Sequence, residues 1–316
     1  MSSVSTGRKR FACFDLTCQN GRIIRVFSLG QGLAKKRCRQ GEELGLSRGF
    51  GENILAQRVN VCLPQKSRER MTQEAVKDQV KLSLDDALAC HNDEVVARSY
   101  WAQGEFFLIH QFLSQSLIDQ FMIEVETVRP QLNRNYIPMH KKGGSVSYYL
   151  LRQSAPSILA LYQSPEFIEW LSRIAGVSLQ LCPEDDPHAC ALYFYTEPGD
   201  HIGLHYDTSY YNGARYTVLL GLVDRSTSRL DCRLHTKEPG RKVEELSLTT
   251  DPGLLVFFNG DKLYHAVTPL SEGEERVVLT LEYVTDPTMS TSKRWFSNLK
   301  DAFSYFGLPA LLRRPG

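Results

Sequence analysis

The chain has 316 residues, a formal charge of +1 and 42% hydrophobic residues, the composition of a globular protein with enough chain for one large core. No stretch of eighteen apolar residues occurs, and no basic, apolar and small-residue leader pattern opens the chain, so neither a membrane-spanning helix nor a secretory signal is expected. Eight cysteines without a Cys-x-x-Cys pair argue against a disulfide scaffold and a structural zinc site, and reduced thiols suit an intracellular, cytoplasmic setting.

Charge is spread unevenly. Residues 1–70 hold 14 Lys and Arg against 5 Asp and Glu, a balance of +9 that leaves −8 for residues 71–316. An acidic main body offers no general electrostatic attraction for nucleic acid. The first seventy residues contain Cys13, Cys18, Cys38 and Cys62 and lack a sustained hydrophobic period, so they are read as an extension ahead of a domain over 71–316. Three readings of the extension stay open: a disordered segment, including sequence upstream of a start at Met71; an organelle-targeting segment; and an arm for a partner or nucleic acid.

From Met71 to about Arg98 the pattern predicts helix, with Ser83 as a cap ahead of Leu84. Gly104 introduces a short buried strand over residues 105–112, in which His110 reads as an ordinary core or surface histidine. Ser114 is placed to cap a helix whose apolar face is Leu117, Phe121, Val125 and Val128, and Pro130 ends it. Residues 138–149 carry Lys141, Lys142, Gly143, Gly144, Tyr148 and Tyr149. They read equally as a lid or recognition loop and as a solvated connector. Ser164 and Pro165 start a further helix with the stripe Phe167, Leu171 and Ile174, and Gly176 stops it.

Beyond Val177 the chain turns to short strands, at 189–196, 215–223, 230–235, 243–248, 254–258 and 276–285. Such a series, with turn residues between, predicts a jelly roll. The expected class is α+β and β-rich, a cupin-like double-stranded β-helix with the helices as flanking supports. Cys182 and Cys190 are read as buried free thiols. Residues 293–306 are read as a packing helix that places Trp295, Leu299, Ala302 and Phe306 against the barrel.

Within the strand region His205 and Asp207 are two apart, a spacing that points both side chains to one face of a strand. His265 follows a second strand-like run, residues 253–258, and the turn from Asn259 to Asp261. Two histidines and a carboxylate on a β scaffold form the facial set that holds non-heme Fe(II) with open positions. Zinc hydrolases use the same residue types, but no HEXXH helix motif is present. Arg276, eleven residues past His265, opens an alternating strand and is placed to clamp a dicarboxylate through paired charge-assisted hydrogen bonds.

In that order the residues resemble the Fe(II)/2-oxoglutarate-dependent dioxygenases, in particular their prolyl-4-hydroxylase-like branch. The resemblance spans roughly Gly104 to Tyr283 and is strongest from Tyr193 on. It implies Fe(II) on His205, Asp207 and His265, 2-oxoglutarate and O2 as cosubstrates with Arg276 on the distal carboxylate, and ascorbate as a candidate reductant. It further implies hydroxylation of an aliphatic C–H with release of succinate and CO2. Retention of Asp207 separates the chain from halogenating relatives, which lack that carboxylate. Tyr195 matches a family tyrosine lining the cosubstrate pocket, with a core aromatic as the plain alternative. A second family tyrosine has no counterpart near Thr217, which leaves Thr280 as the companion contact. Tyr210, Tyr211 and Arg215 border the expected mouth as substrate contacts, and an inward Arg215 would imply an anionic substrate. His188, His201 and His235 are read as loop or surface residues.

The substrate implied is a small amino-acid-like metabolite or a peptidyl residue. The run from Ser164 to Gly176, followed by Cys182 and Pro183, resembles small-molecule hydroxylases and amino-acid halogenases. Nucleobase demethylases commonly carry a second arginine six residues after the first, where this chain has Glu282. A non-catalytic jelly roll that keeps iron and 2-oxoglutarate as ligands is the third reading. Oligomeric state is not legible.

Overall fold

A computed structural model describes residues 12–17, 23–28 and 65–289, with side chains from residue 73 onward. Within residues 1–70 the backbone forms two paired antiparallel strands, β1 (Ala12–Thr17) and β2 (Ile23–Ser28). The rest of the extension before Gln65 and the expected helix at 293–306 lie outside the described residues.

The first helical stretch is two helices, α1 (Gln65–Ala89) and α2 (Asp93–Ala102). Asn92 rather than Ser83 makes the break: its side chain accepts the Val95 N–H at 3.1 Å, satisfying a donor that the first turn leaves open. Ser83 lies inside α1, with its hydroxyl 2.8 Å from that of Ser114. The expected buried strand is β3 (Phe106–Ile109), and α3 (Gln115–Val128) follows with Ser114 as its cap and Leu117, Phe121, Val125 and Val128 buried.

Residues 138–149 are a turn and a strand rather than a lid. The hairpin β4 (Asn133–Ile137) and β5 (Lys141–Val146) puts Gly143 and Gly144 inside a ladder. Two short helices then follow, α4 (Tyr148–Ser154) and α5 (Pro156–Tyr162). Seven residues each give too little period to read. The start of α5 is built by α3, because the Glu124 carboxylate accepts the N–H groups of Ser157 and Ile158 at 2.8 and 3.0 Å. α6 (Pro165–Ala175) has the expected Ser164 cap and ends at Gly176, whose φ of +67° suits glycine.

The strands that complete the fold are β6 (Gln180–Leu181), β7 (Cys190–Tyr195), β8 (His201–His205), β9 (Arg215–Arg225), β10 (Leu230–Leu234), β11 (Glu244–Leu248), β12 (Leu255–Asn259), β13 (Tyr264–Val267) and β14 (Glu275–Val284). They join in one antiparallel path, β11-β10-β13-β8-β5-β7-β14-β9-β12-β3, with β4 on β5 and β6 on β14.

Two apolar cores show how this path folds over. The larger packs the helices against one face of β7, β14, β9, β12 and β3, with Phe107, Trp170, Leu220, Phe257 and Leu279 among its members. The smaller lies on the other face and joins Phe106, Val256 and Phe258 to Ile202, Leu230, Cys232 and Val267 of the opposite strands. Strand alternation makes the division. On β12, Leu255 and Phe257 meet the helices while Val256 and Phe258 meet the inner core. That double burial is why this strand reads as an unbroken apolar run. The result is an antiparallel jelly roll with its helices outside, as the strand series predicts. Cys182, Cys190 and Cys232 are buried free thiols.

Candidate metal centre

The same alternation loads one inner face with polar groups. On β14, Val277, Leu279, Leu281 and Tyr283 pack toward the helices. Arg276, Val278, Thr280 and Glu282 therefore point the other way, and all four line one cavity of about 210 Å³. His205, Asp207, His265, Tyr195, Tyr210 and Arg215 line it too.

β8 and β13 pair with His205 opposite His265, and their ring centroids lie 4.3 Å apart. β8 ends at His205, so Asp207 reaches the same point from the following loop rather than from the strand. Its Oδ1 is 3.3 Å from His205 Nε2 and its Oδ2 is 3.9 Å from His265 Nε2. One ligand atom from each of the three residues falls within 4.8 Å of the others.

The tautomers follow from the backbone. His205 Nδ1 faces the Gly203 carbonyl at 2.8 Å, and His265 Nδ1 faces the Leu263 carbonyl at 3.4 Å. A carbonyl only accepts, so each Nδ1 carries the proton and donates it. Both Nε2 lone pairs are then turned toward Asp207, the arrangement a metal-binding histidine pair requires.

Asp207 is fixed from two sides. The Thr217 hydroxyl donates to its Oδ2 at 3.0 Å. Behind it, a Cβ on residue 260 would overlap the Asp207 carbonyl and stand against its side chain, so only glycine lets the loop lie there. That is the physical content of the Gly260 turn ahead of His265.

Burial alone would raise the Asp207 pKa, but His265, His205 and the Thr217 hydrogen bond outweigh it and hold the carboxyl well below the usual range. Burial, reinforced by His205, pushes His265 down to about 4, so this ring is neutral near pH 7. Burial opposes charge on His205 as well, but Asp207 more than offsets it and the pKa is raised. An anionic carboxylate beside imidazole lone pairs is a donor set for a divalent cation.

Arg276 is only 1% exposed. Its Nη1 reaches the Ser228 hydroxyl at 3.5 Å, and its Nε has no hydrogen-bond acceptor. Among the described residues no carboxylate pairs with it. Burial accordingly lowers its pKa. The Tyr195 ring centroid is 5.8 Å from the guanidinium carbon, a cation–π contact that supports the group without neutralising it. A buried guanidinium at a cavity wall, with Asp224 acting on it only beyond ion-pair distance, is suited to receive an anion.

The remaining site expectations divide. Thr280 and Tyr210 line the cavity. Tyr211 does not, because its hydroxyl donates to Asp186 Oδ2 at 2.7 Å behind the wall. Arg215 lines the cavity but donates to Asp186 Oδ2 at 3.1 Å, with its Nε 3.7 Å from Glu282 Oε2. The protein itself meets this charge, which removes the inference of an anionic substrate. His188, expected at the surface, lines the cavity with Nδ1 3.0 Å from the Tyr193 hydroxyl. His235, also expected at the surface, is 4% exposed and sits 2.8 Å from Glu238. His201 is the first residue of β8, with Nδ1 turned to the Gly199 carbonyl.

Ile137, His140 and Glu282 are among the lining residues that the sequence reading does not place at the site. Ile137 and His140 flank the β4–β5 turn at the cavity rim, and the His140 ring stands edge-on to His205 at 6.1 Å. Pairing of β5 with β7 and β8 is long-range and leaves no local mark. Glu282 is different: stepping by two from Arg276 reaches it.

No family model matches the chain, and no curated protein matches it by sequence. Solved structures match its fold. The epimerase SnoN from nogalamycin biosynthesis, solved with Fe3+, α-ketoglutarate and nogalamycin RO, aligns with TM-score 0.53 and 12% identity over 65% of this chain and 89% of that one. A prolyl hydroxylase from Trichoplax adhaerens, in complex with a hypoxia-inducible-factor oxygen degradation domain peptide fragment, aligns with TM-score 0.52 and 15% identity over 68% and 95%. The α-ketoglutarate-dependent carbocyclase SnoK aligns with TM-score 0.51 and 16% identity over 66% and 91%. The chain shares the fold of non-heme, α-ketoglutarate-dependent enzymes.

Proposed function

We propose that the protein is an Fe(II)- and 2-oxoglutarate-dependent dioxygenase that hydroxylates an aliphatic C–H of a small amino-acid-like metabolite or of a peptidyl residue. One observation carries the reading: a convergent His205, Asp207 and His265 donor set shares a cavity with the buried Arg276 guanidinium. An anion receptor beside two histidines and a carboxylate suits a dicarboxylate cosubstrate. The solved structures of the same fold include enzymes for a peptide and for small molecules. We assign the activity to residues 71–316, with the basic segment before it outside the catalytic domain. An intracellular setting that keeps iron reduced suits the chemistry.

His205, Asp207 and His265 would hold the iron. With 2-oxoglutarate and O2 the iron supplies an oxidant for C–H bonds, and the cosubstrate leaves as succinate and CO2. The protein's own groups do the rest. Arg276 binds the distal carboxylate, and Thr280, four residues on along the same face of β14, lines the same cavity. Tyr195 holds the guanidinium from the side. Val278, Leu219, Leu230 and Val267 form apolar wall, which strengthens charge contacts by excluding water. Thr217 keeps the Asp207 carboxylate in one orientation. A cavity of about 210 Å³ is smaller than the roughly 300–1,000 Å³ of drug-sized sites, which suits a small substrate or one inserted side chain.

The reading is tested by incubating the protein with Fe(II), 2-oxoglutarate and air and following succinate by NMR, without a primary substrate. Slow iron-dependent succinate formation, lost in His265→Ala, is the expected result. No iron-dependent turnover in the wild type counts against the reading.

A further inference from the structure

The cavity floor ends in charge at both ends. Arg276 and Glu282 are six residues apart on β14, about 20 Å at strand rise, and both are buried and face the cavity. Asp207 of the metal-binding set is tied to the Glu282 end. Thr217 bridges Asp207 and Glu282, with its hydroxyl oxygen 3.0 Å from one carboxylate and 3.1 Å from the other. The Arg276 end takes the cosubstrate anion in the proposed function, so the Glu282 end is left for the primary substrate.

At that end the protein's charges do not balance. The cation paired with Glu282 is Arg215, and their closest approach is 3.7 Å, too long for a hydrogen bond. Arg215 is held more closely by Asp186, at 3.1 Å, and Asp186 also takes the Tyr211 hydroxyl. One guanidinium thus serves two carboxylates. Burial, with Asp207 and Asp186 nearby and only partly offset by Arg215, pushes Glu282 above the usual carboxylate range. The protein's own surroundings therefore disfavour this anion, and a cation entering the cavity would relieve it. Tyr210 and His188 also line the cavity, whereas the Tyr193 and Tyr206 rings already carry the protein's own Lys141 and Lys237 ammonium groups at 4.8 and 4.0 Å.

We infer that Glu282 is a specificity-determining residue and that the primary substrate presents a cationic group, an ammonium or a guanidinium, to it. This rests on the dioxygenase reading for which end of the cavity the substrate uses. The cation comes either from a free amine-bearing metabolite or from a lysine or arginine side chain of a peptide.

The test compares matched probes on the protein with Fe(II) and 2-oxoglutarate under anaerobic conditions. L-arginine is set against L-citrulline and L-lysine against L-norleucine, and each pair is repeated inside a capped tripeptide. Binding is read by ligand-observed NMR, and the visible band of the 2-oxoglutarate complex is recorded in the same samples. The cationic member of a pair binds at least tenfold tighter to the wild type. Glu282→Gln brings the members within about twofold, and Glu282→Asp keeps the preference. The capped and free arms distinguish a peptide from a metabolite. Equal binding of both members to the wild type, no binding of any probe, or a preference that survives Glu282→Gln overturns the inference. Should Glu282→Gln fail to fold, Glu282→Met takes its place with the same expected loss of preference, and equal binding of both members to the wild type still overturns the inference. A cation preference without the visible band speaks against the dioxygenase reading and leaves the Glu282 site standing. The band without the preference does the reverse.

Discussion

Replacing Arg276 by methionine should make the ligand-free protein more stable and yet cripple cosubstrate binding. The guanidinium is 1% exposed, its Nε lacks an acceptor, and its one side-chain hydrogen bond is a 3.5 Å contact with Ser228. Burying such a charge costs folding free energy, and replacing buried ionic groups with apolar ones is commonly neutral or stabilising by ~1–4 kcal/mol. Methionine fills less volume, so part of that gain is lost to packing. A net gain of about 1–2 kcal/mol remains, or roughly 3–6 °C in Tm for a domain of this size. In the other direction, a bidentate guanidinium–carboxylate contact consists of two charged hydrogen bonds of about 1.5–3 kcal/mol each. Their loss weakens 2-oxoglutarate binding by roughly two to four orders of magnitude at 1.4 kcal/mol per decade. Differential scanning fluorimetry with and without 2-oxoglutarate reads both effects: the Arg276→Met variant melts higher alone and gains nothing from the cosubstrate. A variant that melts lower alone while retaining wild-type affinity would refute the assignment of Arg276 as an anion receptor.

Other outcomes follow from the same packing. Gly260→Ala should lower Fe(II) affinity at least tenfold in a competition titration, because the added methyl displaces the Asp207 loop. Thr217→Val removes the hydrogen bond that orients Asp207 and should cost about 10–100-fold in Fe(II) affinity; unchanged affinity would exclude an orienting role. Asp200 is buried, but its bidentate pairing with Arg134 and the N–H groups of Thr196 and Glu197 hold its pKa below the usual value. Its contribution is therefore present above the unfolded-state pKa and lost as pH falls through the folded one. Asp200→Asn should cost roughly 3 kcal/mol at pH 7 by urea unfolding, with the difference from wild type shrinking below about pH 4. Glu124→Gln sets an amide N–H against the α5 backbone donors that the carboxylate accepts and should cost about 1–3 kcal/mol in the same assay.

The helices and strands with strong period are legible because burial writes it: α3 and α6 keep their stripes, and β14 alternates between core and cavity. Asp207, His205, His265 and Arg276 are legible because their order along the chain is itself a pattern. What escapes is set by pairing at a distance. The 138–149 segment has two glycines and two lysines, yet β5 lies between β7 and β8, with Lys141 buried. Arg215 looks like a substrate contact until Asp186 and Glu282, both far from it in sequence, are seen to hold it. His188 and His235 look superficial because nothing local shows the Tyr193 and Glu238 partners in place. The fold relatives share 12–16% identity with the chain, so the jelly roll is kept with little sequence in common.

The most direct measurement is the anaerobic visible spectrum of the metal-free protein after addition of Fe(II) and 2-oxoglutarate, recorded for the wild type and Asp207→Ala. A weak metal-to-ligand charge-transfer band in the wild type and none in the variant is the expected result. Iron bound by the wild type with no band, or a band undiminished in Asp207→Ala, would contradict a 2-oxoglutarate site built on His205, Asp207 and His265.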